Sequence, residues 1–139
     1  MAEPQPDFLH KILQRIDLKT GKDAVQARQV VARELKARGV SALRVTRFAT
    51  AVSEIARNVI VHGGGGHFTV GLNAATSYLD VECRDRGRGI PDIDQAMKDG
   101  FTTAGGLGRG LGGAKRLSDR FEIETVPGQG TTVRMSAKI

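Results

Sequence analysis

The chain predicts an α+β fold, a two-layer sandwich whose mixed, mostly antiparallel sheet carries its helices on one face. Three observations lead there. Apolar residues recur at helical spacing in two long stretches of the first half, from Ala24 to Leu35 and from Leu43 to Ile60. From residue 67 onward the pattern changes to alternating apolar and polar residues, the period of half-buried strands. One more short helical stretch, around Leu111 to Leu117, interrupts the strands, so helices and strands pack as two layers.

Residues 1–7 read as a disordered N-terminus and residues 8–139 as one domain, with no internal repeat. Leu9 to Leu18 carries Ile12, Leu13, Ile16 and Leu18 in mixed spacing, and its second half is expected to be an edge strand. Asp23 is the expected N-cap of the first helix, whose apolar positions are Ala24, Ala27, Val30, Val31 and Leu35, and Gly39 stops it. Ser41 caps the second helix, which presents a broad apolar face through Val45, Phe48, Val52, Ile55 and Val59. The glycines Gly63 to Gly66 end it in a tight connection. His67 to Asn73 and Ser77 to Asp85 are expected to pair as antiparallel strands, and a short helix is expected from Asp92 to Lys98. A strand through Phe121, Ile123 and Thr125, a turn at Pro127-Gly128-Gln129-Gly130 and a closing strand from Thr131 to Ala137 complete the chain.

Composition narrows the class. Of the 139 residues 40% are hydrophobic and only 4% aromatic, so the core must be aliphatic. Cys83, the single cysteine, falls in the inward phase of its strand and is expected to be buried and inert. No apolar run approaches the ~18 residues of a membrane span. The N-terminus lacks a signal-peptide pattern, and a cytoplasmic protein is expected. The net charge of +6 suits an anionic ligand, an acidic partner or nucleic acid. Nucleic acid is disfavoured, because the basic residues are dispersed and no aromatic side chains interleave with them for base stacking.

Three stretches could carry chemistry. Glu54 and Asn58 lie four apart and share one helix face, where a carboxylate and an amide oxygen offer hard ligands to Mg²⁺. An isolated pair of this kind is more often a solvated helix edge. Asp85 ends an apolar strand and is followed by Gly87 and Gly89, so it could accept a hydrogen bond from an exocyclic amine while a flat ring slides past bare backbone. Finally, Gly100, Gly105, Gly106, Gly108, Gly110, Gly112 and Gly113 crowd a stretch that leads into a helix, where amides and the helix N-terminus could gather phosphate oxygens with Arg109 or Lys115 adding charge. The spacing fits neither a Walker loop nor a dinucleotide fingerprint.

In this order, and followed by Gly130-Thr131-Thr132, the stretches resemble the GHKL ATPase superfamily, which includes histidine-kinase catalytic domains, gyrase and the anti-sigma-factor kinases. Ser53-Glu54-Ile55-Ala56-Arg57-Asn58, the run from Asp85 to Asp92 and the run from Gly100 to Gly108 resemble most the RsbT-like serine/threonine switch kinases of the stressosome. The resemblance covers residues 15–138 and implies the Bergerat ATPase fold, with ATP and Mg²⁺ as cofactors. It implies that Asn58 ligates Mg²⁺ and that Glu54 is the general base for a protein Ser or Thr hydroxyl. Asp85 would read the adenine amino group, with Gly87, Gly89 and Ile90 beside the ring and Thr132 supporting the contact through water. Residues 99–110 would form a lid, in which Gly106, Gly108 and Gly110 meet the phosphates, Arg109 neutralises charge and Leu111 follows at the helix start. His62, four after Asn58, could also face the nucleotide, although a helix-end histidine is the commoner case.

The implied partners are STAS-domain antagonist proteins of the RsbS/RsbR kind and a downstream phosphatase or other effector. Two rivals stay open. One is an anti-sigma-type regulator that needs nucleotide to bind but transfers little phosphate; the other is nucleic-acid binding through the basic surface.

Overall fold

The computed structural model describes residues 7–73, 77–87, 89–90, 97 and 110–139. Its elements run β1 (Lys11–Leu18), α1 (Gly21–Ala37), α2 (Ala42–Val61), β2 (Gly66–Leu72), β3 (Tyr78–Asp85), α3 (Leu111–Arg116), β4 (Arg120–Val126) and β5 (Gly130–Lys138). The five strands lie in the order β1-β2-β3-β5-β4, and each of the four pairings is antiparallel. No parallel pairing occurs among the described strands, so the expected two-layer α+β sandwich has a simpler sheet than the mixed one anticipated. The expected helix from Asp92 to Lys98 falls outside the described residues except for Met97, which packs against the core. Of the expected disordered N-terminus only Asp7 is described, and it begins a turn.

Local chemistry sets the helix ends. Thr20, rather than Asp23, is the N-cap of α1. Asp23 sits three residues further on and its carboxylate reaches back to accept the N–H groups of Lys19 at 2.8 Å and Thr20 at 2.9 Å. This is the reciprocal half of a capping box, which a single-residue reading of the turn misses. Those backbone hydrogen bonds hold the Asp23 carboxyl below its ordinary value. Ser41 caps α2 as expected, its Oγ accepting the Arg44 N–H at 3.4 Å.

Alternation sorts every strand between two environments. Ile16, Phe68, Cys83, Val133 and Ile123 form one row across all five strands beneath the helices. Val70, Val81 and Met135 continue in the next row, fully buried against Leu35, Phe48, Val52 and Ile55. Burying each such side chain contributes roughly 1.5–3 kcal/mol, which makes this aliphatic layer the main stabilising element. The opposite sheet face is polar and is partly covered by the chain's own beginning. Asp80 is completely buried there and accepts hydrogen bonds from the Leu9 N–H (2.9 Å), Asn73 Nδ2 (3.3 Å) and Ser136 Oγ (2.7 Å). Beside it, Arg134 pairs with Glu82 at 3.1 Å and Glu124 at 3.4 Å.

Candidate functional site

β3 delivers Asp85 to the helix-facing side of the sheet, in phase with the buried Leu79, Val81 and Cys83. Its Oδ1 accepts the N–H of Gly87 at 2.8 Å and the N–H of Thr131 at 3.1 Å. One oxygen is thus anchored by backbone, which fixes the direction of the other. Gly63 lies against this carboxylate so closely that a Cβ there would stand 2.5 Å from both Cβ and Cγ of Asp85. The first glycine after α2 therefore leaves the space in which the carboxylate sits.

Asp85 opens into a hollow lined also by Ile55, Asn58, Val59, His62, Gly63, Cys83, Gly89, Ile90, Leu111, Thr131 and Val133. The hollow is narrow, with a cavity volume of about 30 Å³, and it opens to solvent at its mouth. The walls from Ile55, Val59, Ile90, Leu111 and Val133 are apolar, and the deep end holds a carboxylate. Such a hollow suits a flat apolar ligand with an N–H donor at its edge. Burial pushes the Cys83 thiol up, so this wall residue stays a neutral apolar group. On the far rim, Gly89 has φ +77, and a Cβ there would meet Thr125 Oγ1 and the Val126 carbonyl, each at 2.9 Å. The Ile90 N–H donates to Thr125 Oγ1 at 2.8 Å, which ties this rim to β4.

Asn58 and His62 line both this hollow and an adjoining outer one, which they share with Glu54, Arg57 and Val61. The spacing of Glu54, Asn58 and His62 at successive turns of α2 produces this line from the outside inward. Arg57 Nη1 lies 4.0 Å from Glu54 Oε1, a loose and exposed pair. Gly110, at φ +80, precedes α3 and packs on Glu54; a Cβ there would be 2.9 Å from Oε2. The oxygens of Asn58 and Glu54 suit a hard cation that keeps most of its water. Among the described residues no cluster of three or more His, Cys, Asp or Glu could hold a metal by itself.

The sequence-derived residues thus divide clearly. Asp85, Gly89, Ile90, Asn58 and Leu111 line one hollow, Gly87 braces Asp85, and Glu54 with Gly110 stands at the outer side. Gly106, Gly108 and Arg109 lie outside the described residues. Thr132 does not reach the site. It pairs with Arg84 and Glu124 on the polar face of the sheet, and its neighbour Thr131 takes the inward position. A displacement of one residue along a strand exchanges the two faces, which is why the correction is complete. Thr131 also meets Thr125 Oγ1 at 3.1 Å. Gly63, Thr125 and Thr131 are the supporting residues that sequence reasoning missed. Only the strand alternation, which puts Thr131 in phase with Val133 and Thr125 in phase with Ile123, could have revealed two of them.

Residues 19–137 match the model of the histidine kinase-like ATPase domain. The chain is 40% identical over 121 residues to the serine/threonine-protein kinase RsbT of Bacillus subtilis strain 168, covering 86% of this chain and 91% of that protein. It is 38% identical over 96 residues to the anti-sigma F factor of Thermoanaerobacter sp. strain X514, covering 65% of this chain and 67% of that protein. The anti-sigma F factor of Bacillus subtilis is 33% identical over 101 residues, with 66% and 68% covered. With a strand-end carboxylate, an α2 asparagine and an apolar hollow between them, the chain belongs to the histidine kinase-like ATPase domain family.

Proposed function

We propose that this protein is an ATP- and Mg²⁺-dependent serine/threonine kinase acting on STAS-domain antagonist proteins in a partner-switching module. The observation that carries the reading is the run from Asp85 through Asn58 to Glu54, which joins the apolar hollow to an outer carboxylate. The 40% identity to serine/threonine-protein kinase RsbT supports the reaction class. Asp85 would accept the adenine amino N–H, with Gly89, Ile90 and Leu111 against the ring. Thr131 would take the supporting role expected of Thr132. Asn58 would hold Mg²⁺ by its amide oxygen, and the ion would supply charge neutralisation at the phosphates. Glu54 would accept the acceptor hydroxyl's proton while the Ser or Thr oxygen bonds to the γ-phosphorus. The bond from that phosphorus to its bridging oxygen breaks, and ADP leaves. Released from its antagonists, the protein would bind and activate a downstream phosphatase or another effector.

A second reading is favoured by the relatives called anti-sigma F factor: a nucleotide-dependent binding regulator with little phosphotransfer. Labelled ATP, Mg²⁺ and purified STAS-domain proteins from the same genome separate the two. For the kinase, wild type labels a STAS protein, and Glu54→Ala loses about 10²–10⁴-fold in rate, the span of general-base catalysis, while still binding ATP. Tight nucleotide-dependent binding with no label from wild type establishes the regulator instead.

A further inference from the structure

Glu54 belongs to a longer feature of α2. Leu43, Arg47, Thr50, Glu54, Arg57 and Val61 follow one another at intervals of four, three, four, three and four, so they form a single straight stripe on the helix. Between its ends the helix rises about 27 Å at ~1.5 Å per residue. All of the stripe faces solvent apart from the half-buried Glu54. Leu43 and Val61, 69% and 68% exposed, are two of the four large hydrophobic residues exposed among the described residues. Arg47 makes no ion pair or hydrogen bond among the described residues, and the weak 4.0 Å contact of Arg57 is with Glu54 itself. The stripe therefore reads apolar, basic, hydroxyl, acidic, basic, apolar, with the acid near its centre.

We propose that this stripe is the docking face for the protein substrate, and that the substrate presents carboxylates on both sides of its acceptor Ser or Thr, with apolar side chains beyond them. The proposal rests on the reading of Glu54 as the base. An acceptor hydroxyl that approaches Glu54 from solvent must lie on α2 between Arg47 and Arg57. Two guanidinium groups straddling the acceptor select an acidic segment and repel a basic one, and they steer an acidic partner toward a chain of net charge +6. Leu43 and Val61 then bury apolar surface at the two ends, outside the charged pairs. The roles of the arginines separate from that of Glu54, because the arginines set affinity and Glu54 sets the rate of proton removal.

The test measures binding and phosphate transfer independently. ATP- and Mg²⁺-loaded wild type, Arg47→Glu, Arg57→Glu and Leu43→Ser are titrated against a panel of purified STAS-domain proteins from the same genome, at low and high salt. The stripe predicts that each charge reversal weakens binding by at least about tenfold and flattens the salt dependence, the result expected of opposed like charges at an interface. Leu43→Ser weakens binding without changing the salt dependence. An unchanged ATP-induced rise in melting temperature for Arg47→Glu shows that the fold and the nucleotide hollow are intact. Binding that both reversals leave within about twofold of wild type overturns the stripe, whether or not phosphate is transferred. A panel with no binder overturns the acidic partner as stated. Binding that depends on the arginines while wild type transfers no phosphate keeps the docking face and removes Glu54 as base. If Arg57→Glu lowers kcat alone and leaves KM and binding untouched, Arg57 positions Glu54 and is not part of a docking face.

Discussion

Asp85 and Gly63 work as one unit. The carboxylate spends Oδ1 on two backbone N–H groups, so only Oδ2 remains to meet a ligand. In Asp85→Asn the amide oxygen can still take those N–H groups, which leaves an NH₂ group facing the ligand's own donor. A charge-assisted hydrogen bond is replaced by a donor–donor clash, and the loss of about 1.5–3 kcal/mol corresponds to roughly 10–150-fold weaker ATP binding. Calorimetric titration with ATP checks this, and the melting temperature without nucleotide should stay near wild type. Gly63→Ala should behave differently. Its Cβ would sit 2.5 Å from Asp85 Cβ and Cγ, so either the helix end or the strand end must move. Both stability and binding should fall, stability by about 1–3 kcal/mol in urea unfolding, as for other overpacked sites. If Gly63→Ala binds ATP like wild type, the carboxylate does not depend on that close approach.

At the level of elements, strand parity decides which threonine matters. Thr131→Val removes the hydroxyl contact to Thr125, which in turn holds the Ile90 N–H, whereas Thr132→Val acts on the polar face opposite the hollow. ATP affinity should fall several-fold for Thr131→Val, the loss of about one hydrogen bond of ~1 kcal/mol, and stay unchanged for Thr132→Val. Equal effects of the two would mean that the strand is out of register. Helix α1 gives a pH prediction. Asp23 has a folded pKa below its unfolded value, so its stabilising contribution is complete above the unfolded value and disappears as pH falls through the folded one. Asp23→Ala should therefore be less stable than wild type at neutral pH and lose that deficit in strong acid, as followed by urea midpoints across pH. The helices and the β2–β3 pair were legible in the sequence because their periods are local properties of consecutive residues. Asp85, Asn58 and Glu54 were singled out for a similar reason, since each motif lies within one short stretch, and the fold brings the three to one side of the sheet. The approach of Gly63 to Asp85 and the bracing by Thr125 join residues 22 and 35 apart, and no local period records such contacts. Thr132 was chosen by its place in a motif, while the pleat of β5 assigns the inward position to Thr131.

For the molecule as a whole, the two faces of the sheet divide the work. The helix-covered face contains the aliphatic core and ends in the hollow beside Asp85. The other face holds the Arg134 network and the buried Asp80, neither of which the sequence suggested as structural centres. Asp80 ties three distant parts of the chain together: Leu9 before β1, Asn73 after β2 and Ser136 in β5. Leu9 adopts φ 51, a left-handed conformation that disfavours a leucine, while its N–H points at the carboxylate and its side chain lies over Gly71. Phe8 continues this cover alongside Glu122 and Arg134. Deleting residues 1–9 removes a donor from a buried acid and uncovers apolar surface, so the truncated protein should lose about 1–3 kcal/mol in urea unfolding. The same deletion in an Asp80→Asn background should cost less, because the neutral amide needs the donor less. ATP affinity should be equal with and without the segment, since the hollow lies on the opposite side of the sheet. A truncation that leaves the urea midpoint unchanged would show that Asp80 is satisfied without Leu9, and one that weakens ATP binding would show that the two faces are coupled through β3.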